Sequence, residues 1–148
     1  MRRLAFLLPL VAFAAFLTPA PSASAATTYY SELLRYTNAQ RAKYHLPPLK
    51  VSYCLKGRFA DPWARHMAAV RKISHQPLSP MMSQCNGNAA GENVAYGNVS
   101  PARMVEMWMA SPGHRANILS TKYTHIGIGA SRGTDHAVYG VQDFLRVA

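Results

Sequence analysis

From Tyr30 to Tyr44 the apolar and core-compatible side chains return every three or four positions, with Leu33, Leu34, Thr37, Arg41 and Tyr44 on one stripe. That period predicts a helix, with Ser31 suited to its cap. His45-Leu46-Pro47-Pro48-Leu49 ends it, because a residue before proline avoids helical geometry. A second stripe carries Leu55, Phe59, Trp63 and Met67 after a capping Ser52. Asp61-Pro62 interrupts this stripe. An interior proline costs about 3 kcal/mol, so the pattern predicts a kink, or a fresh start with Asp61 as cap and Pro62 in the first turn. Ser74 to Ala90 is polar and broken by prolines and Asn86-Gly87, and reads as a long loop, a length that usually serves function. Ser100-Pro101 opens a third helix with Met104, Val105 and Trp108 on its buried edge, and Pro112 to Leu119 forms a short extra one. The period then changes to two. Thr124, Ile126 and Ile128 share one face of Tyr123–Ser131, and Val138, Gly140, Gln142 and Phe144 share one face of His136–Val147. Arg132-Gly133-Thr134-Asp135 supplies the turn between these two strands. Helices packed on an antiparallel sheet make an α+β domain, with no internal repeat and no second domain.

The N-terminus departs from this pattern. Arg2 and Arg3 precede an apolar run, Leu4 to Leu17, and small residues follow to Ala23-Ser24-Ala25. This is the layout of a secretory signal peptide, too short for a comfortable membrane span. Residues 1–25 are therefore expected to be a Sec-type leader and 26–148 a single exported domain. Removing Arg2 and Arg3 from the 16 basic residues leaves 14 against 6 acidic ones, a formal charge of +8. Outside the cell such a charge favours anionic wall polymers or lipid surfaces. The basic residues are scattered (Arg35, Arg58, Arg71, Arg103, Arg132) and accompany no nucleic-acid motif, so nucleic acid is not expected as a partner. Cys54 and Cys85 are the only cysteines, and in an exported chain a pair most simply forms one disulfide.

Of the six histidines, His45, His66, His125 and His136 lie in or beside regular elements without acidic or cysteine neighbours in sequence. His75 and His114 each follow the end of a helix, where a loop can aim an imidazole. Between them stands Glu92, in Gly91-Glu92-Asn93-Val94-Ala95-Tyr96-Gly97, with glycines expected to let the backbone turn tightly. Two imidazoles and a carboxylate can hold zinc with a position left for water, or the carboxylate can orient a histidine as general base. Spacings of 17 and 22 residues do not by themselves prove a meeting.

SHQPLS with His75, GENVAYG, Trp108 with SPGHRANIL, YTHIGIGA and the closing YGVQDF occur in that order. Together they resemble the bacterial branch of the CAP superfamily, which includes cysteine-rich secretory proteins, antigen 5 and plant pathogenesis-related proteins. The resemblance runs from Leu33 to Phe144. It implies a three-layer α-β-α sandwich, an antiparallel sheet flanked by helices. It also implies an open cavity lined by two histidines and two acids that in some members binds zinc, calcium or magnesium. His75, Glu92 and His114 carry over by motif. The second acid does not, since Met109-Ala110-Ser111 follow Trp108, and Glu106 is expected to pair with Arg103 one turn back.

The expected function is thus a monomeric secreted module binding a ligand or divalent metal at His75, Glu92 and His114. The alternative is a metal-assisted hydrolase or peptidase using the same residues as ligands or acid–base groups. The Ser-Pro-Gly break before His114 is expected to end one wall helix so that the imidazole reaches the cavity.

Overall fold

Along strand β4 (Val138–Val147), eight consecutive residues from Val138 to Leu145 are buried. A strand can be buried at successive positions only when both faces are covered. Its alternation therefore sets the layers of the domain. The computed structural model describes residues 23–148, with side chains from Thr28 onward. The expected leader lies outside the described residues except for the backbone of its last three, which fall in helix α1 (Ala23–Lys43). Among the described residues no helix is long and apolar enough to cross a membrane.

The sheet has the order β1-β3-β4-β2, with β1 at Lys50–Val51, β2 at Gly87–Gly97 and β3 at His125–Arg132. β4 pairs antiparallel with both β3 and β2. One face of the sheet meets α1, α5 (Pro101–Ala110) and α6 (Pro112–Ile118). Leu33, Met104, Trp108, Ile118, Ile126, Ile128 and Phe144 form the core there. The other face meets α2 (Tyr53–Leu55), a π-helical turn (Lys56–Ala60), α3 (Asp61–Val70) and α4 (Ser79–Gln84). Ala64, Met67, Val94, Tyr139 and Val141 pack on this side, continued by Leu55, Phe59, Met81 and Leu145. At the centre of β3 the two positions facing this second layer, Gly127 and Gly129, carry no side chain. A Cβ on Gly129 would lie 2.0 Å from the Ala60 carbonyl oxygen, and one on Gly127 2.5 Å from Leu55 Cβ. The two glycines thus let helix backbone rest directly on the strand. The result is the expected α-β-α sandwich.

Local departures from expectation have physical causes. Ser52 does cap α2, accepting from the Leu55 N–H at 3.2 Å. Ser31 does not cap α1, which starts earlier; its hydroxyl donates to the Thr28 carbonyl within the helix. A fresh helix does start at Asp61 with Pro62 in its first turn, but the Asp61 side chain does not cap it. The π turn widens the ladder ahead of it, Asp61 N–H bonds to the Lys56 carbonyl, and the Asp61 carboxylate pairs with the Lys56 ammonium. Proline then sits in the first turn of α3, where a missing N–H costs nothing.

The stretch 74–90 is only partly loop, since it holds α4 and the start of β2. Two strands were not expected. β1 is two residues long and pairs parallel to β3, so a short parallel edge joins the antiparallel sheet. β2 is rich in glycine and alanine and poor in β-branched side chains, so its composition hides it. Its glycines do not turn; among the described residues no glycine has positive φ. Gly91 instead makes room for Tyr123, whose hydroxyl would be 2.5 Å from a Cβ there.

Cys54 and Cys85 form the expected disulfide, with Cα atoms 5.8 Å apart. Closing a loop of this length stabilises the domain by roughly 3–4 kcal/mol on the chain-entropy estimate. It ties α2 to the end of α4, which bounds the segment carrying His75.

Candidate functional site

Glu92 on β2 points into the second layer with its side chain 2% exposed. A buried carboxylate costs several kcal/mol unless it is well hydrogen-bonded. The loop after α3 supplies the donors. Arg71 ends the helix in the left-handed region at φ 52°. Trp63 Nε1 donates to the Ser74 carbonyl at 2.8 Å, which anchors the residue before His75. His75 Nδ1 then lies 2.5 Å from Glu92 Oε1, and the Gln76 backbone N–H donates to the same oxygen at 3.3 Å. Gln76 Nε2 donates to Glu92 Oε2 at 2.9 Å. The His75 side chain is 62% exposed. A buried acid thus orients a solvent-facing imidazole through Nδ1, and Nε2 is left for the open side.

Directly opposite Glu92 in the β2–β4 register stands Asp143, 0% exposed. Its polar contact is Gln76 Nε2, 3.4 Å from both carboxyl oxygens. Burial, and then the charge of Glu92, push the Asp143 carboxyl well above the usual carboxylate range. Both causes favour the protonated form of Asp143.

His114 is half-buried on α6, the short helix begun by Pro112. Burial and then the proximity of His75 lower its pKa, which favours the neutral imidazole. The Ser-Pro-Gly break does end α5 at Ala110 and start α6. What fixes α6 is a set of side chains. Arg41, buried on α1, donates from its guanidinium to the Pro47, Ile118 and Ser120 carbonyls. Asn117 Nδ2 donates to the Glu92 carbonyl at 3.1 Å and to Asn93 Oδ1 at 2.9 Å. Asn93 Nδ2 donates to the His114 carbonyl and to Gln142 Oε1, both at 3.0 Å. Gln142 Nε2 donates to Thr37 Oγ1 at 2.6 Å, and Thr37 donates to the Leu33 carbonyl at 2.7 Å. Tyr123 donates to the Ala90 carbonyl at 3.1 Å. Helix α6 is therefore clipped to the outer edge of β2 beside Glu92.

An open cleft of about 260 Å³ results, lined by His75, Gln76, Leu78, Ala90, Gly91, Glu92 and Asn117. A second hollow, about 410 Å³, lies between the starts of α1 and α5 and holds none of the expected residues. Of the expected trio, His75 and Glu92 form a hydrogen-bonded pair that lines the cleft, while His114 stands on α6 and is not among the lining residues. The three are not poised as ligands to one ion. Among the described residues no three His, Cys, Asp or Glu side chains stand together to hold a metal. Both Glu92 oxygens are engaged by His75 and Gln76, so this donor set does not fit a ready three-ligand zinc, calcium or magnesium centre.

Asp143 and Gln76 belong to the site and were not expected. Glu106 pairs with Arg103 at 3.1 Å on the surface, as its spacing implied. His66 stacks on Trp63, and His125 contacts the Thr124 hydroxyl.

The sequence compares with known proteins as the fold does. Residues 34–144 match the family described as CAP: Cysteine-rich secretory protein family. The Bacillus subtilis (strain 168) protein YkwD is 37% identical over 119 residues, which cover 76% of this chain and 45% of YkwD. An extracellular protein containing an SCP domain from Bacillus anthracis superposes with a TM-score of 0.71 at 21% identity, over 87% of this chain and 45% of that one. An outer surface protein of Borrelia burgdorferi gives 0.67 at 23% identity, over 87% and 97%. The chain spans less than half the length of the two Bacillus proteins and nearly all of the Borrelia one. At such identities the structural likenesses speak for the fold, while the family match covers most of the sequence: the chain belongs to the CAP, or cysteine-rich secretory protein, family.

Proposed function

We propose that this CAP domain acts outside the cell as a monomeric binding module and holds a small polar ligand in the cleft at His75, with His114 beside it. The observation that carries this is the buried Glu92 carboxylate fixing an exposed imidazole. Energy invested in desolvating an acid only to orient a solvent-facing ring is expected of a recognition site. Export is supported by the leader pattern and by relatives that are an extracellular and an outer surface protein. The formal charge of +8 beyond the leader supports association with anionic wall polymer or lipid, which should weaken as salt rises.

The hydrolase alternative has less support. His75 with Glu92 has the form of a general-base pair, but no serine, threonine or cysteine lines the cleft, so water would have to be the nucleophile.

The binding function is tested by a panel of polar fragments followed by NMR of the His75, Gln76 and Asn117 side chains. Saturable shifts in wild type that His75→Ala removes are the expected result. A panel that leaves these resonances unmoved sinks the reading. Millimolar zinc should leave Tm within about 1 °C, because a resident ion would raise it by mass action; a larger rise abolished by His75→Ala would restore a metal to the site.

A further inference from the structure

The three nitrogen-bearing side chains lining the cleft, His75, Gln76 and Asn117, share one feature: each turns a nitrogen toward an acceptor of the protein. Asn117 Nδ2 faces two acceptors, the Glu92 carbonyl and Asn93 Oδ1. The orientation of this amide is not free, because exchanging nitrogen and oxygen would oppose acceptor to acceptor. It ends a one-way chain. The Thr37 hydroxyl donates to the Leu33 carbonyl, Gln142 to Thr37, Asn93 to Gln142, and Asn117 to Asn93. Fixed at helix α1, the direction of donation runs through the core and leaves Asn117 Oδ1 at the cleft, 3.1 Å from where a Cβ on Gly91 would stand. Gln76 follows the same rule. Its Nε2 contacts Glu92 and Asp143, so Oε1 turns away from the two acids. His75 engages Glu92 through Nδ1, which leaves Nε2 as an acceptor whenever the ring is neutral.

We propose that the cleft takes a primary ammonium group, held by His75 Nε2, Gln76 Oε1 and Asn117 Oδ1 above the Glu92 carboxylate. Three acceptors match the three N–H donors of R–NH₃⁺, and no cationic side chain lines the cleft. His114, burial-shifted toward its neutral form, adds no positive charge nearby. The protein's net positive charge opposes a cation, but charges beyond about 8 Å are largely screened at physiological salt, so the local carboxylate decides. The same acceptors repel carboxylate and phosphate. Anionic polymers, if bound, therefore bind elsewhere on the surface. The inference rests on the cleft being a binding site and adds the class of ligand.

The test is an NMR titration at pH 7.5 with three probes of one chain length: n-butylammonium, butan-1-ol and butyrate. Butylammonium is expected to shift the Gln76 and Asn117 side-chain amides and the His75 ring saturably, with Kd of about 1–50 mM, as befits one anchored group. Butan-1-ol should bind about tenfold or more weakly, since hydrogen bonds to a charged group are stronger, and butyrate not at all. His75→Phe, at an exposed position, should weaken butylammonium about tenfold. If butyrate perturbs the cleft and butylammonium does not, the ammonium assignment is overturned while the binding reading stands. If no probe perturbs it, both fall. The wild-type comparison decides this even if the variant does not fold.

Discussion

Asn93→Ala is the sharpest test of how the core holds the site. The side chain is fully buried and sits in the middle of the one-way chain. Truncation removes the donor to Gln142 Oε1, which is itself fully buried, and the acceptor for Asn117 Nδ2. The Asn117 nitrogen keeps its bond to the Glu92 carbonyl, and the His114 carbonyl, on a half-buried residue, can reach water. The main cost is therefore one buried acceptor left unpaired, with part of a second bond. At about 1–3 kcal/mol per orphaned group, the loss is about 2–4 kcal/mol. For a domain of this size each kcal/mol shifts Tm by about 3–6 °C, so Tm should drop by roughly 6–24 °C. Thermal unfolding by circular dichroism and urea titration measure it, and an unchanged m-value would show that the denatured state is not responsible. Asn93→Asp separates polarity from packing. It keeps the shape and the acceptor for Asn117 but sets a carboxylate against Gln142 Oε1 and the His114 carbonyl. Its Tm should fall at least as far as that of the alanine variant at neutral pH. Destabilisation below about 1 kcal/mol for Asn93→Ala, or full tolerance of Asp, would refute the assigned direction of the chain.

Three further outcomes are expected. Gly129→Ala should cost about 2–4 kcal/mol, because its methyl meets the Ala60 carbonyl rather than a movable side chain; a normal Tm would mean the π-helical turn can lift off the strand freely. Reduction of Cys54–Cys85 should lower Tm by roughly 10–20 °C, and a reducing agent without effect would show that the closed loop contributes nothing. Asp143 has a raised pKa in the fold, so the stability it contributes is fully present below its ordinary value of 3.8 and is lost as pH rises through the elevated one. Asp143→Asn should remove that slope and raise Tm at neutral pH relative to wild type, as read by thermal melts across pH; parallel profiles for the two proteins would show that Asp143 is not protonated in the fold.

The layered architecture was legible because β3, β4 and the long helices carry clear periods: Ile126 and Ile128 two apart, Leu55, Phe59, Trp63 and Met67 four apart. β2 was not, since it opens with Gly-Asn-Ala-Ala-Gly, which lacks bulky side chains and of which only Gly91, packed against Tyr123, is buried. His75, Glu92 and His114 were legible as candidates by their settings and by family likeness. The acid that stands opposite Glu92 comes from β4, where no helix position could reveal it. Asp143 follows Gln142 on β4, on the face shared with Tyr139, Val141 and Leu145, and a charge on a wholly apolar strand face is the signal that it is functional or paired. Gln76 gave no such signal, because its role depends on two acids brought together only by the β2–β4 register.

One end of the sheet closes with the two residues of β1, and the other is the eleven-residue β2. A long strand at the border of a sheet is a template on which other chains can assemble. Here its carbonyls at Ala90 and Glu92 are occupied by Tyr123 and Asn117, the second of which also lines the cleft. The cover of this edge and the wall of the cleft therefore share Asn117. Substitutions that prise α6 away to enlarge the cleft will expose an unpaired ribbon, and such variants are lost to fibril-like aggregation before any change in what they bind is seen.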